Sequence, residues 1–174
     1  QVEAALAFGT GHHGTTRGCL LAFERVLRRT RPRRILDVGS GTGVLAIAAA
    51  KALKSQVLAS DIDPISVRIA RENACLNGVG NLVRTVAATG FAHRAIADGA
   101  PYDLIFANIL AEPLVLMAPA LAHHLAPRGC AILSGLLVRQ ERQVRAAYGA
   151  QGLVLSERIV LDGWATLIMR RAMP

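Results

Sequence analysis

The sequence predicts an α/β fold in which a seven-stranded, mostly parallel sheet carries helices on both faces and ends in an antiparallel strand. Three observations lead there. From Arg34 onward, short β-type apolar runs alternate with helix-length segments, the pattern that builds a parallel sheet covered by helices. Near the end of the chain, two strand-like runs are separated only by Asp162-Gly163, a two-residue hairpin signal that makes the joined strands antiparallel. The 174 residues, 52% hydrophobic and 18% charged, supply enough apolar surface for one domain spanning 1–174. They exclude a disordered, collagenous or low-complexity chain.

In chain order, a helix is expected over 16–29 and a strand over 35–38. A helix over 44–53 and a strand over 56–60 follow. The next helix, over 64–76, opens with Pro64 at its first position behind the capping carboxylate of Asp63, and Asn77-Gly78 stops it. Strands over 82–87 and 102–107 come next. A helix over 112–125, a turn at Arg128-Gly129 and a strand over 131–134 continue the alternation. A helix over 139–150 and the paired strands over 153–161 and 164–169 complete the fold, with no internal repeat and no linker.

The formal net charge is +8 and the pI about 10.7, and apart from Lys51 and Lys54 every basic residue is arginine. Arg25, Arg28, Arg29, Arg31, Arg33 and Arg34 crowd into one stretch, a density that attracts an anionic partner such as RNA. The competing reading is a solvated helix end, which the macrodipole favours. It is also favoured by the shortage of stacking aromatics, since only Phe23 stands nearby. Cys19, Cys75 and Cys130 are widely spaced without any CxxC, the usage of reduced thiols in a cytoplasmic protein, and no metal site is expected. No apolar run approaches the roughly eighteen residues of a membrane span. No secretory leader is expected from these residues, and Gln1 in place of Met reads as a cut boundary.

The strongest chemical signal is Asp37-Val38-Gly39-Ser40-Gly41-Thr42-Gly43, at the end of the first strand and the start of the second helix. Glycines there let the backbone turn sharply and let a ligand approach main-chain N–H groups unshielded by Cβ. A dinucleotide fingerprint needs glycine or alanine where this chain has Val44, so GxGxG fits and GxGxxG does not. Asp61 follows 22 residues after Gly39, at the end of the second strand, placed to accept both ribose hydroxyls of an adenosine. Asp63 is read as a helix cap. Two further segments fall near the carboxyl ends of strands, where ligands bind in open α/β sheets: Ala7-Phe8-Gly9-Thr10-Gly11-His12-His13-Gly14-Thr15-Thr16, and Asn108-Ile109-Leu110-Ala111.

In that order, these motifs resemble those of the class I S-adenosylmethionine-dependent methyltransferases, and within them the bacterial family that methylates ribosomal protein L11. The resemblance covers nearly the whole chain. The glycine loop is shared by many methyltransferases, whereas the Phe-Gly-Thr-Gly-x-His segment combined with Asn-Ile-Leu-Ala is much more specific. It implies a Rossmann-like methyltransferase fold, S-adenosylmethionine as cofactor, and contacts to it from Thr16, Gly39, Asp61 and Asn108. It also implies a protein substrate, ribosomal protein L11, methylated on lysine or α-amine groups. Members of that family carry a separate amino-terminal recognition domain, so the chain reads either as the catalytic domain or as a stand-alone relative with another substrate.

The implied chemistry is displacement of a sulfonium methyl by an amine. Presenting a lysine amine in neutral form at pH 7 costs roughly 4 to 5 kcal/mol, which desolvation and neutral amide acceptors lessen. Asn108 is the catalytic candidate for orienting that amine. Rival classes are a methyltransferase of another protein or small molecule, an NAD-dependent oxidoreductase, disfavoured by Val44, and a non-catalytic RNA-binding module resting on the arginine cluster. Adjacent His12 and His13 do not suit paired metal ligation. His12 reads equally as a cofactor-lid or loop-bracing residue, His123 and His124 as helix-end residues, and Cys19 as core.

Overall fold

The computed structural model describes residues 13–172. The elements run α1 (His13–Leu27), β1 (Ile35–Val38), α2 (Val44–Leu53), β2 (Val57–Asp61), α3 (Pro64–Leu76), β3 (Val83–Ala87) and α4 (Arg94–Gly99). They continue with β4 (Tyr102–Asn108), α5 (Ala111–His124), β5 (Leu125–Leu137), a 3-10 turn (Val138–Gln140), α6 (Glu141–Gly149), β6 (Leu153–Leu161) and β7 (Trp164–Arg171). The seven strands form one sheet in the order β3-β2-β1-β4-β5-β7-β6. β1 to β5 pair in parallel, and β7 inserts antiparallel between β5 and β6. The hairpin expected at Asp162-Gly163 is present, with φ of 51° and 80° at its two central residues, as a type I′ turn requires.

Strand alternation divides the core into two layers. Ile35, Leu104, Phe106 and Ile132 point to the face covered by α1, α2 and the end of α3. Leu36, Ile105, Ala107 and Leu133 point to the face covered by α4, α5 and α6. Because β4 and β5 are buried on both faces, they read as continuous apolar runs, as parallel strands do. Asp63 caps α3 as expected: its carboxylate accepts from Ile65 N at 3.0 Å, Ser66 N at 3.2 Å and Ser66 Oγ at 2.9 Å.

Two details depart from the sequence reading. Arg128-Gly129 is not a loop but part of a bulge in β5: Leu125 already pairs with Tyr102, and the register resumes at Cys130 opposite Leu104. The short helix α4 has no apolar periodicity to announce it, since only Ile96 is buried. Its start is fixed instead by His93, whose Nδ1 accepts from Ala95 N at 3.1 Å. No helix of the described residues is long and apolar enough to cross a membrane, and they contain no metal-ligand cluster.

Candidate functional site

The strand order reverses between β1 and β4, so their carboxyl ends open a crevice where a ligand enters an open α/β sheet. By alternation with Val57 and Ala59, Asp61 ends β2 on the α1/α2 face. Asn108 ends β4 on the same face, in step with Leu104 and Phe106. Gly39 leaves β1 between them, with its N–H donating to Ser60 O at 2.8 Å. Gly39, Asp61 and Asn108 therefore meet on three adjacent strands, as the sequence predicts. Thr16 lies half-buried in the first turn of α1 at the same end of the sheet. The segment 7–12 that shares its motif lies outside the described residues.

The glycine loop is built for close approach. Gly39, Gly41 and Gly43 have φ of 69°, 52° and 81°, a region costly for residues with a Cβ. A Cβ on Gly39 would overlap Ile109 Cγ2, and one on Gly43 would stand 3.0 Å from Ala70 Cβ. The loop is fastened on both sides: Gly43 N donates to Ser40 O at 2.8 Å, and the buried Asn73 side chain donates to Thr42 O at 3.0 Å. Asp61 does more than end a strand. Its carboxylate accepts from Gly41 N at 2.8 Å and from Asp63 N at 3.0 Å, so it is aimed by main-chain donors and retains lone pairs toward the crevice.

Asp37, buried beneath the loop, accepts from Ala46 N at 3.0 Å in the first turn of α2. It joins the loop to the helix behind it. Burial pushes its carboxyl up to about 7, with the Ala46 N–H opposing and the Asp61 charge adding to the rise. In the sequence Asp37 opens the glycine motif with no role of its own apparent. Its one signal is a carboxylate inside an otherwise apolar strand.

A second polar group anchors α1 to the crevice. Ser134, the register partner of Asn108, shares a hydrogen bond of 2.8 Å with Thr166 Oγ1 and donates to Ala165 O at 3.3 Å. Its hydroxyl lies 3.5 Å from Thr15 O. Ile109 N donates to Ser134 O at 3.1 Å. Gly135 (φ 85°) allows this approach, since a Cβ there would stand 2.7 Å from Ile109 C and 2.9 Å from Ile109 N. Neither Ser134 nor Gly135 stands out in the sequence.

Among the described residues, no hydrogen bond occupies the Asn108 side chain, which is half-buried at the crevice floor. Cys19 is wholly buried and burial pushes its thiol up, in keeping with a core role. His124 ends α5 with its Nδ1 2.8 Å from Ala120 O, as a helix-end residue does.

Comparison with known proteins places this geometry. The model of the ribosomal protein L11 methyltransferase (PrmA) family matches residues 1–172. The ribosomal protein L11 methyltransferases of Rhodopseudomonas palustris (strain BisB5) and Bradyrhizobium diazoefficiens are each 58% identical over 171 residues, 98% of this chain and 58% of theirs. The chain thus spans little more than half the length of these relatives. The crystal structure of ribosomal protein L11 methylase from Lactobacillus delbrueckii subsp. bulgaricus superposes with a TM-score of 0.82 at 33% identity, covering 91% of this chain and 79% of that one. An RNA methyltransferase of Salinibacter ruber in complex with S-adenosyl-L-homocysteine shares the fold alone, at 20% identity and a TM-score of 0.67 over 88% of this chain and 94% of that one. With its glycine loop, Asp61 and Asn108 in place on a sheet of this order, the chain belongs to the ribosomal protein L11 methyltransferase (PrmA) family.

Proposed function

We propose that this chain binds S-adenosylmethionine and transfers its methyl group to lysine or α-amine groups of ribosomal protein L11. The observation that carries the reading is the left-handed glycine loop joined through Gly41 N to the Asp61 carboxylate. The residues fit the cofactor. The loop turns through three left-handed glycines and packs closely on Ile109, and Asp61 is a carboxylate already aimed by two N–H groups, with acceptor capacity left for a pair of ribose hydroxyls. When bound, S-adenosylmethionine supplies an electrophilic methyl on a positively charged sulfur.

The chain's own residues do the rest. The glycine loop, its N–H groups at Gly39, Ser40, Gly41 and Gly43 committed to internal acceptors, lets the nucleoside approach the backbone, Asp61 accepts from its ribose hydroxyls, and Thr16 closes the same end of the sheet from α1. Asn108 offers a neutral carbonyl that accepts from an incoming amine without stabilising its ammonium form, as a carboxylate would. Ser134 and Gly135 hold Ile109 and keep Asn108 in register. Positioning of two reactants in this way lowers a bimolecular barrier by several kcal/mol.

Calorimetry with S-adenosylhomocysteine, followed by mass spectrometry of L11 after incubation with the chain and S-adenosylmethionine, tests the reading. Binding together with feeble but detectable methyl addition on L11 amines is the expected result, because the chain spans 58% of its relatives' length and lacks whatever tether the remainder supplies. Absence of S-adenosylhomocysteine binding refutes the cofactor assignment, and binding without L11 methylation refutes the substrate assignment for this length of chain.

A further inference from the structure

Three arginines of the crowded sequence cluster are already engaged: Arg25 and Arg29 pair with Glu157 at 3.2 Å each, and Arg28 with Glu24 at 2.7 Å. The fold sets the other three among arginines that are remote in sequence. Arg31, Arg33 and Arg34 enter β1. Arg84 stands at the second position of β3, Arg128 precedes Cys130 in β5, and Arg170 pairs in register with Cys130 near the end of the reversed β7. All six therefore gather at the amino ends of the parallel strands, opposite the glycine loop. Five of them are exposed and Arg170 is half-buried, and none has a carboxylate partner within ion-pair distance among the described residues.

The acids at this end do not offset them. Asp103 is held by the backbone N–H groups of Arg33 and Arg34, at 2.8 and 3.0 Å, and Asp98 lies 3.4 Å from Arg94. Lys54, capping the end of α2 beside β2, adds a further cation. At the crevice end, by contrast, Asp61, Asp63, Glu112, Glu141 and Asp162 offset the local arginines. The +8 charge is thus concentrated at one pole.

We infer that this pole is an RNA-binding surface, contacting sugar-phosphate backbone rather than reading bases. Arginine forks match phosphate oxygens two at a time, and the cations here are arginine with few exceptions. From β3 to β7 the pole crosses five strand spacings, about 24 Å, long enough to meet several successive phosphates. A depression of about 330 Å³ between Arg33, Arg34 and Arg84 gives it relief. Exposed large apolar side chains near this end are Leu76 and Val154, which belong to the outer elements α3 and β6. The centre of the pole therefore lacks the apolar anchors of a membrane-inserting face or a protein hot spot. The absence of exposed aromatics among the described residues makes the contact electrostatic and insensitive to sequence. The inference stands on charge placement and is independent of the proposed methyl transfer.

Fluorescence anisotropy of a labelled single-stranded RNA and a hairpin RNA with the full chain, across 50–200 mM salt, decides it. Binding should weaken about a hundredfold or more over that range, with a log–log slope near −0.7 for each phosphate neutralised. The variant Arg31→Gln/Arg33→Gln/Arg84→Gln/Arg128→Gln should lose at least tenfold in affinity at the lowest salt and most of the slope, while binding S-adenosylhomocysteine as the parent does. Arg139→Gln/Arg142→Gln, at the other end, should change RNA affinity less than threefold. No binding by the parent chain, an equal loss per arginine at both ends, or poly-glutamate binding as tightly as RNA would each overturn the inference. An altered near-ultraviolet spectrum would flag misfolding of the quadruple variant, and the single variants Arg33→Gln and Arg128→Gln then carry the same slope test.

Discussion

The two ends of the sheet hold their polar groups in opposite ways. At the carboxyl end most polar groups are held in place: Asp61 by two N–H donors, the loop by three left-handed glycines, and Ser134 by its buried hydroxyl pair with Thr166. At the amino end the arginines extend into solvent on long side chains, most with no fixed partner. A preorganised site and a diffuse field obey different rules. Changes at the first should be large, specific to one atom and indifferent to salt, while changes at the second should be small, additive and screened.

The largest effect is expected where the fold leaves no room. Gly135→Ala requires a residue with a Cβ to adopt φ of 85° and to press on the backbone of Ile109, which cannot swing aside as a flexible side chain does. Denaturant unfolding should show a loss of about 3 kcal/mol or more, together with weakened cofactor binding because Asn108 immediately precedes Ile109. A loss below about 1 kcal/mol would mean that β5 relaxes without disturbing the crevice. Next in size, Asp61→Ala removes a charge-assisted pair of bonds and should weaken S-adenosylhomocysteine by roughly 1.5 to 3 kcal/mol. Calorimetry at low and high salt should give the same difference. Asn108→Ala should lower the single-turnover methyl-transfer rate more than it lowers cofactor affinity, because the amine contact matters most in the transition state. A rate fully restored at saturating cofactor would leave Asn108 as a binding residue.

The contrast between the ends also explains what was legible in the sequence. Strand and helix alternation, the Asp63 cap and the Asp162-Gly163 hairpin are local signals, each set by residues within a few positions of one another, and each agrees with the fold. The placement of Gly39, Asp61 and Asn108 at the ends of β1, β2 and β4 was legible because each follows a recognisable strand, and it is the family resemblance that singles out Asn108. Ser134 and Gly135 were not, because their roles exist only once β5 lies beside β4 and α1 crosses above. The arginine pole was misleading for the same reason. Arg25, Arg28 and Arg29, the first half of the cluster, find acidic partners on α1 and on β6. Arg84, Arg128 and Arg170 are scattered in sequence and meet only through strand order. The bulge that absorbs Arg128-Gly129 likewise depends on pairing with Tyr102, which no local turn propensity encodes.

Asp37 sharpens the comparison through pH. Burial holds its carboxyl protonated up to about pH 7, whereas in the unfolded chain it ionises near its ordinary value of about 4. Between those limits the folded state binds more protons, so this group's contribution to stability is largest in acid and is lost as pH rises from about 4 through 7. Asp37→Asn keeps an acceptor for Ala46 N and has no charge to bury. It should match the parent near pH 4 and exceed it above pH 7 by up to about 4 kcal/mol. Denaturant titrations of both proteins at several pH values would show the gap widening. A constant gap would mean that Asp37 is ionised throughout and that the Ala46 N–H and the helix end carry its charge.

The smallest effect belongs to the arginines that the sequence made most conspicuous. Arg28 and Glu24 form a pair one helical turn apart, with both side chains more than half exposed, so water and salt screen the attraction and the two chains lose rotamer freedom in holding it. Arg28→Gln should destabilise the fold by about 0.3 to 0.5 kcal/mol at low salt and by nothing measurable at 1 M salt. Arg25→Gln should cost somewhat more, because Glu157 is less exposed than Glu24 and is shared with Arg29. Arg29 remains to neutralise it, which keeps the loss below about 1 kcal/mol. Unfolding of the two single variants and the double Arg25→Gln/Arg29→Gln variant measures the sharing directly. The double loss should exceed the sum of the singles, since only then is Glu157 left unpaired. Strict additivity would show that Glu157 is solvated enough to stand alone, and that this end of α1 behaves like the neighbouring free arginines at the amino ends of the strands.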